Sequence, residues 1–375
     1  SPPTHQQWSL ELGGQLTPPV IVEDKVLVSL KDKNTLVAVD AAKGTITWTF
    51  LPGGKIDSPP TVYKKRVYCG SADGFIYCLD IDDGSLFWKY QASPSSAKHM
   101  WFERIEATHP VHGNVLVMND RVYTVAGRNM FTDGGLRFLI LNAATGEKIS
   151  ENIMNDRMPG TDEPMQMHHE FLNMPMALSD LLSTNGKKIF MRYQQFDFSG
   201  KRIRLDYTRK LYGADRADIA TSAEAAMSDQ KGDDAHLFAG TGFLDDSWWH
   251  RTYWIFGKHH ASGWPGYYVA GKGGAPAGRM ITFDDQHIYT WGRIPNYFKW
   301  SKTYEYYLHA KDYEYNEVWG VRLPILARSM LLSDDKLYVL GPEELQRQEN
   351  VNRQITTAAM QEKMQKQQQT LLGIR

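Results

Sequence analysis

Side chains suited to acid–base chemistry concentrate in one short run, residues 245–251, which reads Asp-Asp-Ser-Trp-Trp-His-Arg. Alternate residues of an extended strand share a face, so Asp246, Trp248 and His250 are expected to point the same way. Such a set could perform general acid–base catalysis or clamp a sugar by stacking and paired hydrogen bonds. A satisfied ion-pair network at the edge of a sheet is the alternative. The candidate catalytic residues are Asp245, Asp246, His250 and Arg251, with His109 and His112 from an earlier segment.

Large aromatic side chains are the second chemical feature. The chain has 11 Trp, 19 Tyr and 15 Phe among its 375 residues. Tryptophan at this density suits a surface that faces a sugar or a partner, because its ring combines a large apolar area with one polar group. The candidate ligand-contacting residues are Trp248, Trp249, Trp254 and Arg128.

Residues 165–170 read Met-Gln-Met-His-His-Glu and offer metal ligands of two kinds. Thioether and imidazole groups would suit copper, whereas His168, His169 and Glu170 would suit a divalent metal ion. Adjacent histidines in a strand point to opposite faces, which argues against a shared ion. A Met-rich loop folded over one face of the protein is the alternative to a metal site.

The elements that must position these residues follow from a sequence repeat. Trp8, Trp48 and Trp88 are spaced 40 residues apart. Within one period, an apolar run, a polar turn, an alternating strand and a second turn precede the strand that carries Trp48. A fixed period of this length, made of short strands, predicts an all-β β-propeller with four-stranded antiparallel blades of about 40 residues.

The repeat also predicts the domain organisation. The propeller covers residues 1–341, with a starting strand at Trp8 and blades at about 18–50, 58–91, 108–150, 178–258 and 279–321, then half a blade at 326–341. Residues 342–375 are Gln-rich with a thin apolar face, which predicts a helical segment that is either an insertion or a partner-binding helix.

Five blades, a starting strand and half a blade do not close a ring, and open sheet edges are a liability. We therefore expect about one further blade of C-terminal strands, which would complete a seven-bladed ring. These strands would come from a second chain, a processed fragment or a longer parent.

The two cysteines flank a predicted hairpin. Asp73-Gly74 is expected to form its two-residue turn, which would place Cys69 opposite Cys78. At a non-hydrogen-bonded position this separation is compatible with a disulfide. Two buried free thiols are the alternative, and a bridge would imply an oxidising compartment.

Composition restricts the partners. The net charge is −1, so no bulk electrostatic field favours nucleic acid or an anionic membrane. No apolar run reaches the length of a membrane span, and no signal-type leader is present. The chain opens at Ser1 without a methionine, which favours a processed or trimmed product, and we expect a periplasmic or secreted protein.

The blade consensus resembles the quinoprotein-like (PQQ-like) propeller repeat, the fold group of the PQQ alcohol dehydrogenases and of the outer-membrane assembly lipoprotein propeller. Residues 36–48 and 73–88 carry this resemblance. Further segments resemble the uncharacterised PQQ-like propeller proteins of planctomycete-type bacteria: 110–117, 126–128, 131–135, 242–254 and 275–279. Chains of that group usually continue with further blades, and the resemblance implies no reaction.

The dehydrogenases of this fold group place an adjacent cysteine pair against PQQ and carry a calcium site. Cys69 and Cys78 are not adjacent, so the sequence does not favour PQQ, and it contains no Cys-X-X-Cys-His for covalent haem. No cofactor is predicted with any strength, although a metal ion at 168–170 stays open.

Three functions compete. The first is an extracytoplasmic binding or scaffold propeller that holds a partner protein or a glycan on the loops of blades three to five. The second is an enzyme acting on a carbohydrate or small polar substrate, with the His, Asp and Arg candidates gathered at the propeller channel. The third is a redox subunit that works beside a cytochrome. Propeller repeats establish the fold and leave this choice to the site.

Overall fold

The computed structural model describes residues 7–101, 104–168, 177–204, 230–239, 254–258, 275–293, 306–333, 336–343, 362 and 365–366. These residues form an all-β protein of β-propeller type, built from antiparallel sheets of up to four strands, as the repeat predicts. The chain divides into two compact units. Described residues up to 204 belong to the first unit, and those from 230 onward belong to the second.

The first unit contains three four-stranded sheets, one three-stranded sheet and a hairpin. The first sheet consists of β1 (Val20–Val22), β2 (Lys25–Leu30), β3 (Thr35–Asp40) and β4 (Ile46–Phe50). The second consists of β5 (Thr61–Tyr63), β6 (Arg66–Gly70), β7 (Phe75–Asp80) and β8 (Leu86–Gln91). The hairpin β9 (Lys98–Trp101) and β10 (Arg104–Ala107) follows in the chain. The third sheet is β11 (Leu116–Met118), β12 (Arg121–Ala126), β13 (Leu136–Asn142) and β14 (Lys148–Met154), and the fourth is β15 (Leu182–Thr184), β16 (Ile189–Met191) and β17 (Gln194–Phe196).

The second unit contains three further sheets among its described residues. The fifth sheet is β18 (His236–Ala239), β19 (Trp254–Gly257) and β20 (Ala277–Gly278). The sixth is β21 (Met280–Phe283), β22 (Ile288–Arg293), β23 (Tyr306–Lys311) and β24 (Glu317–Val321), and the seventh is β25 (Ser329–Ser333) with β26 (Lys336–Leu340). Tyr315, which is buried, ties the fifth and sixth sheets together by donating to the carbonyls of Gln230 and Phe256 at 2.7 and 3.1 Å.

A short polar side chain shapes the turn between the third and fourth strands of each repeat. Asp40 Oδ1 accepts the backbone N–H groups of Ala42 and Lys43 at 2.9 and 2.8 Å, as an Asx turn requires. Asn142 does the same in the third sheet, and Asp80 in the second sheet accepts the Asp82 N–H. The glycine that closes each turn has a φ between 69° and 74°, a region that other residues rarely adopt.

Each turn glycine receives the tryptophan that lies one repeat earlier in the chain, and we call this contact the tryptophan dock. The pairs are Trp8 with Gly44, Trp48 with Gly84, and Trp88 with Gly146. A Cβ atom on Gly84 would lie 2.7 Å from the Trp48 ring, so only glycine fits. The Trp48 indole N–H also donates to the Ile81 carbonyl at 2.9 Å, and the other two indoles make the equivalent bond. The regular spacing of the tryptophans therefore reflects a contact that joins each sheet to the next.

Two sequence expectations require correction or stay open, and one element was not predicted. Residues 178–258, predicted as one blade, hold strands of the fourth and fifth sheets. The hairpin β9–β10 was not predicted, because its sequence offers no Asn-Gly or Asp-Gly turn. Of the C-terminal segment 342–375, the structure describes five positions, of which 362, 365 and 366 are helical, so a longer helix stays a prediction. Among the described residues, no helix has the length and apolarity to cross a membrane.

The disulfide prediction is wrong, because Cys69 and Cys78 are free thiols in the structure. The hairpin loop is longer than two residues, so Cys69 lies opposite Tyr77 and Cys78 lies opposite Tyr68. This one-residue shift turns the two thiols to opposite faces of the sheet, where they join different core clusters. Burial raises the pKa of the Cys78 thiol to about 11, so it is inert at neutral pH.

The hydrogen bonds of the Asp73 side chain account for the longer loop. Its carboxylate accepts hydrogen bonds from the backbone N–H groups of Gly53 and Phe75, at 2.8 and 3.0 Å, and from the Tyr77 hydroxyl at 2.6 Å. Asp73 thus joins the second sheet to the preceding connection, a tertiary role that a two-residue turn would not allow.

Candidate functional site

Six polar side chains of the first unit converge at one edge of its sheets. We call this set the arginine cluster: Arg128 with Lys55, Asp57, His99, Glu106 and His112. Because successive strands run in opposite directions, the turns after second strands and the connections between sheets leave from the same edge. Two members lie in the connection 51–60, one lies in 108–115, one follows β12, and the hairpin β9–β10 supplies the other two.

Arg128 is the centre of the cluster. Its Nε donates to His99 Nε2 at 3.0 Å and its Nη1 donates to His112 Nε2 at 3.1 Å. Its Nη2 pairs with the Glu106 carboxylate. The side chains of Arg128 and Glu106 are only 9% and 2% exposed, so the ion pair is almost fully removed from water. The guanidinium carbon also lies 4.6 Å from the centroid of the Trp101 ring, in cation–π geometry.

His112 is held from both sides. Its Nδ1 lies 2.6 Å from Asp57 Oδ2, and its Nε2 faces Arg128. A guanidinium only donates hydrogen bonds, so Nε2 must accept, and the ring carries its proton on Nδ1 toward Asp57. Lys55 closes the cluster, with its ammonium 3.1 Å from Asp57 and 3.7 Å from Glu106.

The hairpin β9–β10 has one anchored side and one exposed side. His99 stands opposite Glu106, and Trp101 stands opposite Arg104, on the side that faces the cluster. Arg104 adds hydrogen bonds of 3.4 and 3.3 Å to the Lys31 carbonyl and the Asn34 side chain. On the other side Met100 and Ile105 face each other and are 69% and 66% exposed.

His109 takes a different environment from His112. His109 is 4% exposed, and within the described part of the chain its ring nitrogens make no hydrogen bond. Burial, and secondarily the positive charge of Arg137, lower the pKa of His109 below 6.5. His109 is therefore a neutral buried ring beside the segment 133–137. His109 and His112, which were predicted to act together, lie in separate environments.

The arginine cluster is a closed network rather than an open acid–base site. Both nitrogens of His112 and the Nε2 of His99 are engaged, so a substrate proton would have to displace an existing partner. Among the described residues, no group of three or more His, Cys, Asp or Glu side chains is arranged to hold a metal ion. What the cluster can do is fasten the hairpin β9–β10 to the first three sheets.

Asp57 makes the attachment of the hairpin β9–β10 to the first three sheets sensitive to acid. Burial raises its pKa, but the hydrogen bond of His112 and the charge of Lys55 outweigh burial, so the net pKa lies below 3.8. Such a carboxyl contributes stability above its unfolded pKa, and the contribution is lost as pH falls through the folded value.

We expect the free energy of unfolding of the first unit to fall below about pH 4. Asp57→Asn should make the free energy of unfolding depend less on pH in this range. Urea unfolding from pH 3 to 7 checks this, and parallel profiles for the two proteins would contradict it.

Most of the other predicted site residues lie outside the described residues. These are Asp245, Asp246, Trp248, Trp249, His250, Arg251, His169 and Glu170. The backbone of His168 ends a short 3-10 helix, Met165–His168. Trp254 begins β19 in the second unit and is half-buried opposite Gly278. Of the candidates that lie in the described ranges, the structure brings together only His112 and Arg128.

Four members of the cluster were missed by sequence reasoning: Lys55, Asp57, His99 and Glu106. Their spacing carries no signal, because Asp57 and His112 are 55 residues apart and meet only through sheet stacking. The hairpin carries no clear signal either, because residues 98–106 read Lys-His-Met-Trp-Phe-Glu-Arg-Ile-Glu and do not alternate polar with apolar side chains.

The sequence comparisons point to a propeller family for the first half of the chain. Residues 1–168 match the PQQ_2 family, described as outer membrane protein assembly factor BamB. The match supports a PQQ-like propeller repeat over that segment. No curated protein matches the chain.

Solved propeller structures are similar only distantly. BamB from Moraxella catarrhalis is 11% identical with a TM-score of 0.42, over 85% of this chain and 76% of that chain. A europium-containing methanol dehydrogenase is 14% identical with a TM-score of 0.37, over 89% and 56%. The quinohemoprotein alcohol dehydrogenase ADHIIG from Pseudomonas putida HK5 is 18% identical with a TM-score of 0.31, over 41% of this chain and 22% of that enzyme. At these values the matches carry no information on function.

Proposed function

We propose that this protein is an extracytoplasmic scaffold propeller that binds a partner protein through the hairpin β9–β10. The observation that carries the proposal is the contrast between the two sides of the hairpin. One side is fixed by the buried Arg128–Glu106 pair, and the other presents Met100 and Ile105 to solvent. A rigid apolar surface costs little entropy on binding, which is how protein-binding elements gain affinity.

Three exposed apolar residues elsewhere in the first unit have a simpler explanation. Ile46, Leu86 and Ile149 are each about half exposed, and they recur near the start of the fourth strand of three sheets. Their recurrence makes them part of the scaffold. Within the part of the chain that the structure describes, such an inserted hairpin occurs once and interrupts the repeat, so its apolar surface is not a by-product of blade construction.

The same edge carries a further exposed aromatic side chain. Phe131 is 37% exposed in the loop that follows Arg128, and that loop leaves from the edge that holds the hairpin. Trp101, at 44% exposure, lies between the cluster and solvent. Aromatic side chains and methionine are enriched at protein interfaces, and aromatic anchors carry much of their energy. This composition favours a protein partner over nucleic acid.

The family match supports both the scaffold role and the compartment. The matching family is described as an outer membrane protein assembly factor, and that description is of a protein working with other proteins outside the cytoplasm. Free Cys69 and Cys78 do not oppose this compartment, because buried thiols on opposite sheet faces cannot pair.

The test replaces the exposed side of the hairpin. We expect Met100→Ser with Ile105→Ser to lower the affinity for the native partner at least about tenfold, because two apolar contacts of roughly 1 kcal/mol each are lost. Quantitative pull-down from a cell-envelope extract identifies the partner, and calorimetry with that purified partner measures the affinity. Ile46→Ser with Leu86→Ser is the matched control. Equal affinity of the hairpin variant and the wild type would refute the proposal.

A further inference from the structure

The sixth sheet carries a tryptophan at the position that forms the tryptophan dock in other sheets. Trp48 stands opposite Ala38 on the fourth strand of the first sheet, next to a register shift. Trp88 repeats this geometry in the second sheet. Trp319, on β24, stands opposite Ala310 and next to the same kind of shift. Trp319 therefore has in the sixth sheet the place that Trp48 and Trp88 have in the first two.

Trp319 is nevertheless undocked within the described part of the chain. Its side chain belongs to a residue that is 40% exposed, whereas Trp48 is 7% exposed. Its ring contacts Tyr289 of its own sheet, with centroids 6.1 Å apart, but no described glycine receives it and its indole N–H has no acceptor among the described residues. Val321, the next residue on the same face, is 43% exposed. This part of the sixth sheet is therefore uncovered.

The rest of the same face is covered by the seventh sheet. Met330, Leu337 and Val339 of that sheet pack against a buried cluster that includes Trp291 and Leu308 of the sixth. The seventh sheet has two strands among the described residues, and β26 pairs there with β25 alone. In the first three sheets the second strand pairs with a third, whose following turn receives the tryptophan. A strand along the other edge of β26 would bring such a turn to Trp319.

The docks of the first three sheets define what a receiving segment must contain. In each, an apolar third strand ends in Asp or Asn, and a glycine with a φ between 69° and 74° follows four residues later. The residue directly after the Asp or Asn supplies the carbonyl that accepts the indole N–H. These acceptors are Ala41, Ile81 and Ala143. The recognition pattern is therefore a strand, an acceptor carbonyl and a glycine at fixed spacing.

This pattern is not available from the sequence after β26 or from a second copy of the chain. Residues 341–375 contain no Asp or Asn with a glycine four residues later. In the described part of the chain, the turns that follow a third strand with this spacing each already hold a tryptophan. The observations therefore favour a different polypeptide as the source.

We propose that Trp319 and the second edge of β26 bind a strand-and-turn segment of a second polypeptide. Its apolar strand pairs with β26 and covers Val321, while its turn glycine receives the Trp319 ring. Backbone hydrogen bonds supply affinity in this mode of strand addition, and the glycine and the acceptor carbonyl supply specificity. The site lies in the second unit and is independent of the hairpin β9–β10.

The test adds a labelled peptide with the sequence of residues 75–85, the third strand and turn of the second sheet, carrying Cys78→Ala to prevent oxidation. Fluorescence anisotropy with the full chain measures affinity, and we expect a Kd of about 0.1 mM or tighter. NMR of the indole N–H groups should show a downfield shift of one signal, assigned to Trp319 with Trp319→Phe.

The turn glycine provides the first control. The same peptide with Gly84→Val should bind at least about tenfold more weakly, because a β-branched residue resists a positive φ. A Cβ atom at this position also lies 2.7 Å from the tryptophan ring in the dock of the second sheet.

The protein side provides the second control. Trp319→Ala should weaken the peptide at least about tenfold, as loss of a central aromatic anchor does. Val318→Ala is the matched variant, because Val318 is 50% exposed and points to the opposite face of the same strand, and it should leave the affinity unchanged. If Trp319→Ala does not fold, the comparison of the two peptides on the wild type decides.

Three results would overturn the proposal. The first is the absence of saturable peptide binding, and the second is equal binding by the Gly84→Val peptide or by the Trp319→Ala protein. The third is self-association of the wild type that Trp319→Ala abolishes, which would assign this surface to a second copy. None of these results bears on the partner surface of the hairpin β9–β10.

Discussion

Replacing Arg128 by alanine should lower the free energy of unfolding of the first unit by about 3–5 kcal/mol, the cost of breaking a buried ion pair. The loss has two parts. Glu106, only 2% exposed, keeps a charge without its principal partner, and His112 and His99 lose the donor that faces them. The hairpin β9–β10 should then exchange its amide hydrogens far faster than the third sheet. Urea unfolding and hydrogen exchange measure both effects.

Two further variants distinguish the effect of breaking the hydrogen-bond network from the effect of losing a long side chain. Arg121→Ala removes an exposed arginine at the start of the same strand, β12, and should change stability by no more than about 0.5 kcal/mol. Arg128→Lys keeps the charge but cannot reach three acceptors in one plane, so it should fall between alanine and the wild type. A loss below about 1 kcal/mol for Arg128→Ala would show that the cluster does not hold the hairpin.

Replacing Trp48 by alanine should cost about 3–5 kcal/mol, as large-to-small changes of buried aromatic residues do. Trp48 is 7% exposed, fills the contact over Gly84, and donates its indole N–H to the Ile81 carbonyl. Its removal leaves a cavity between the first and second sheets and an unpaired carbonyl. Thermal and urea unfolding measure the loss.

The partner glycine gives an independent check of the tryptophan dock. Gly84→Ala should also destabilise, because its Cβ would lie 2.7 Å from the Trp48 ring and its φ is 74°. If both changes act on one contact, their combined effect should be smaller than the sum of the single effects. Ile46→Ala, on the exposed side of the same strand, is the control. Additive losses would show that the two residues do not form one contact.

The fold was predictable because the residues that join neighbouring sheets lie close together in the sequence and recur in each repeat. Each tryptophan, each Asx turn and each turn glycine sits in one short segment, so a 40-residue period exposes the sheets without any knowledge of tertiary contacts. Prediction failed where one residue altered a register. The Asp73 carboxylate accepts a hydrogen bond from the backbone N–H of Gly53 in the preceding connection, and the loop is longer than two residues. Cys69 and Cys78 therefore lie on opposite faces of the sheet.

The candidate site was only partly predictable for the opposite reason. His112 and Arg128 were identified as functional candidates, but their partners come from the connection 51–60 and the hairpin β9–β10, which meet the two candidates only when sheets stack. A sequence shows residue types and local spacing, and neither specifies that Asp57 will lie beside His112. The role predicted for His112 as an acid–base group also changes, because both ring nitrogens are engaged.

The most direct test of the proposed partner surface is site-specific photo-crosslinking in cells. A photoreactive phenylalanine analogue at position 100 or 105 should give one discrete adduct with another protein, and the same analogue at position 46 or 86 should give none. This contrast compares the anchored hairpin with exposed apolar positions of similar chemistry on the repeated strands. Absence of an adduct at positions 100 and 105, or equal adducts at all four positions, would contradict a partner-binding role for the hairpin β9–β10.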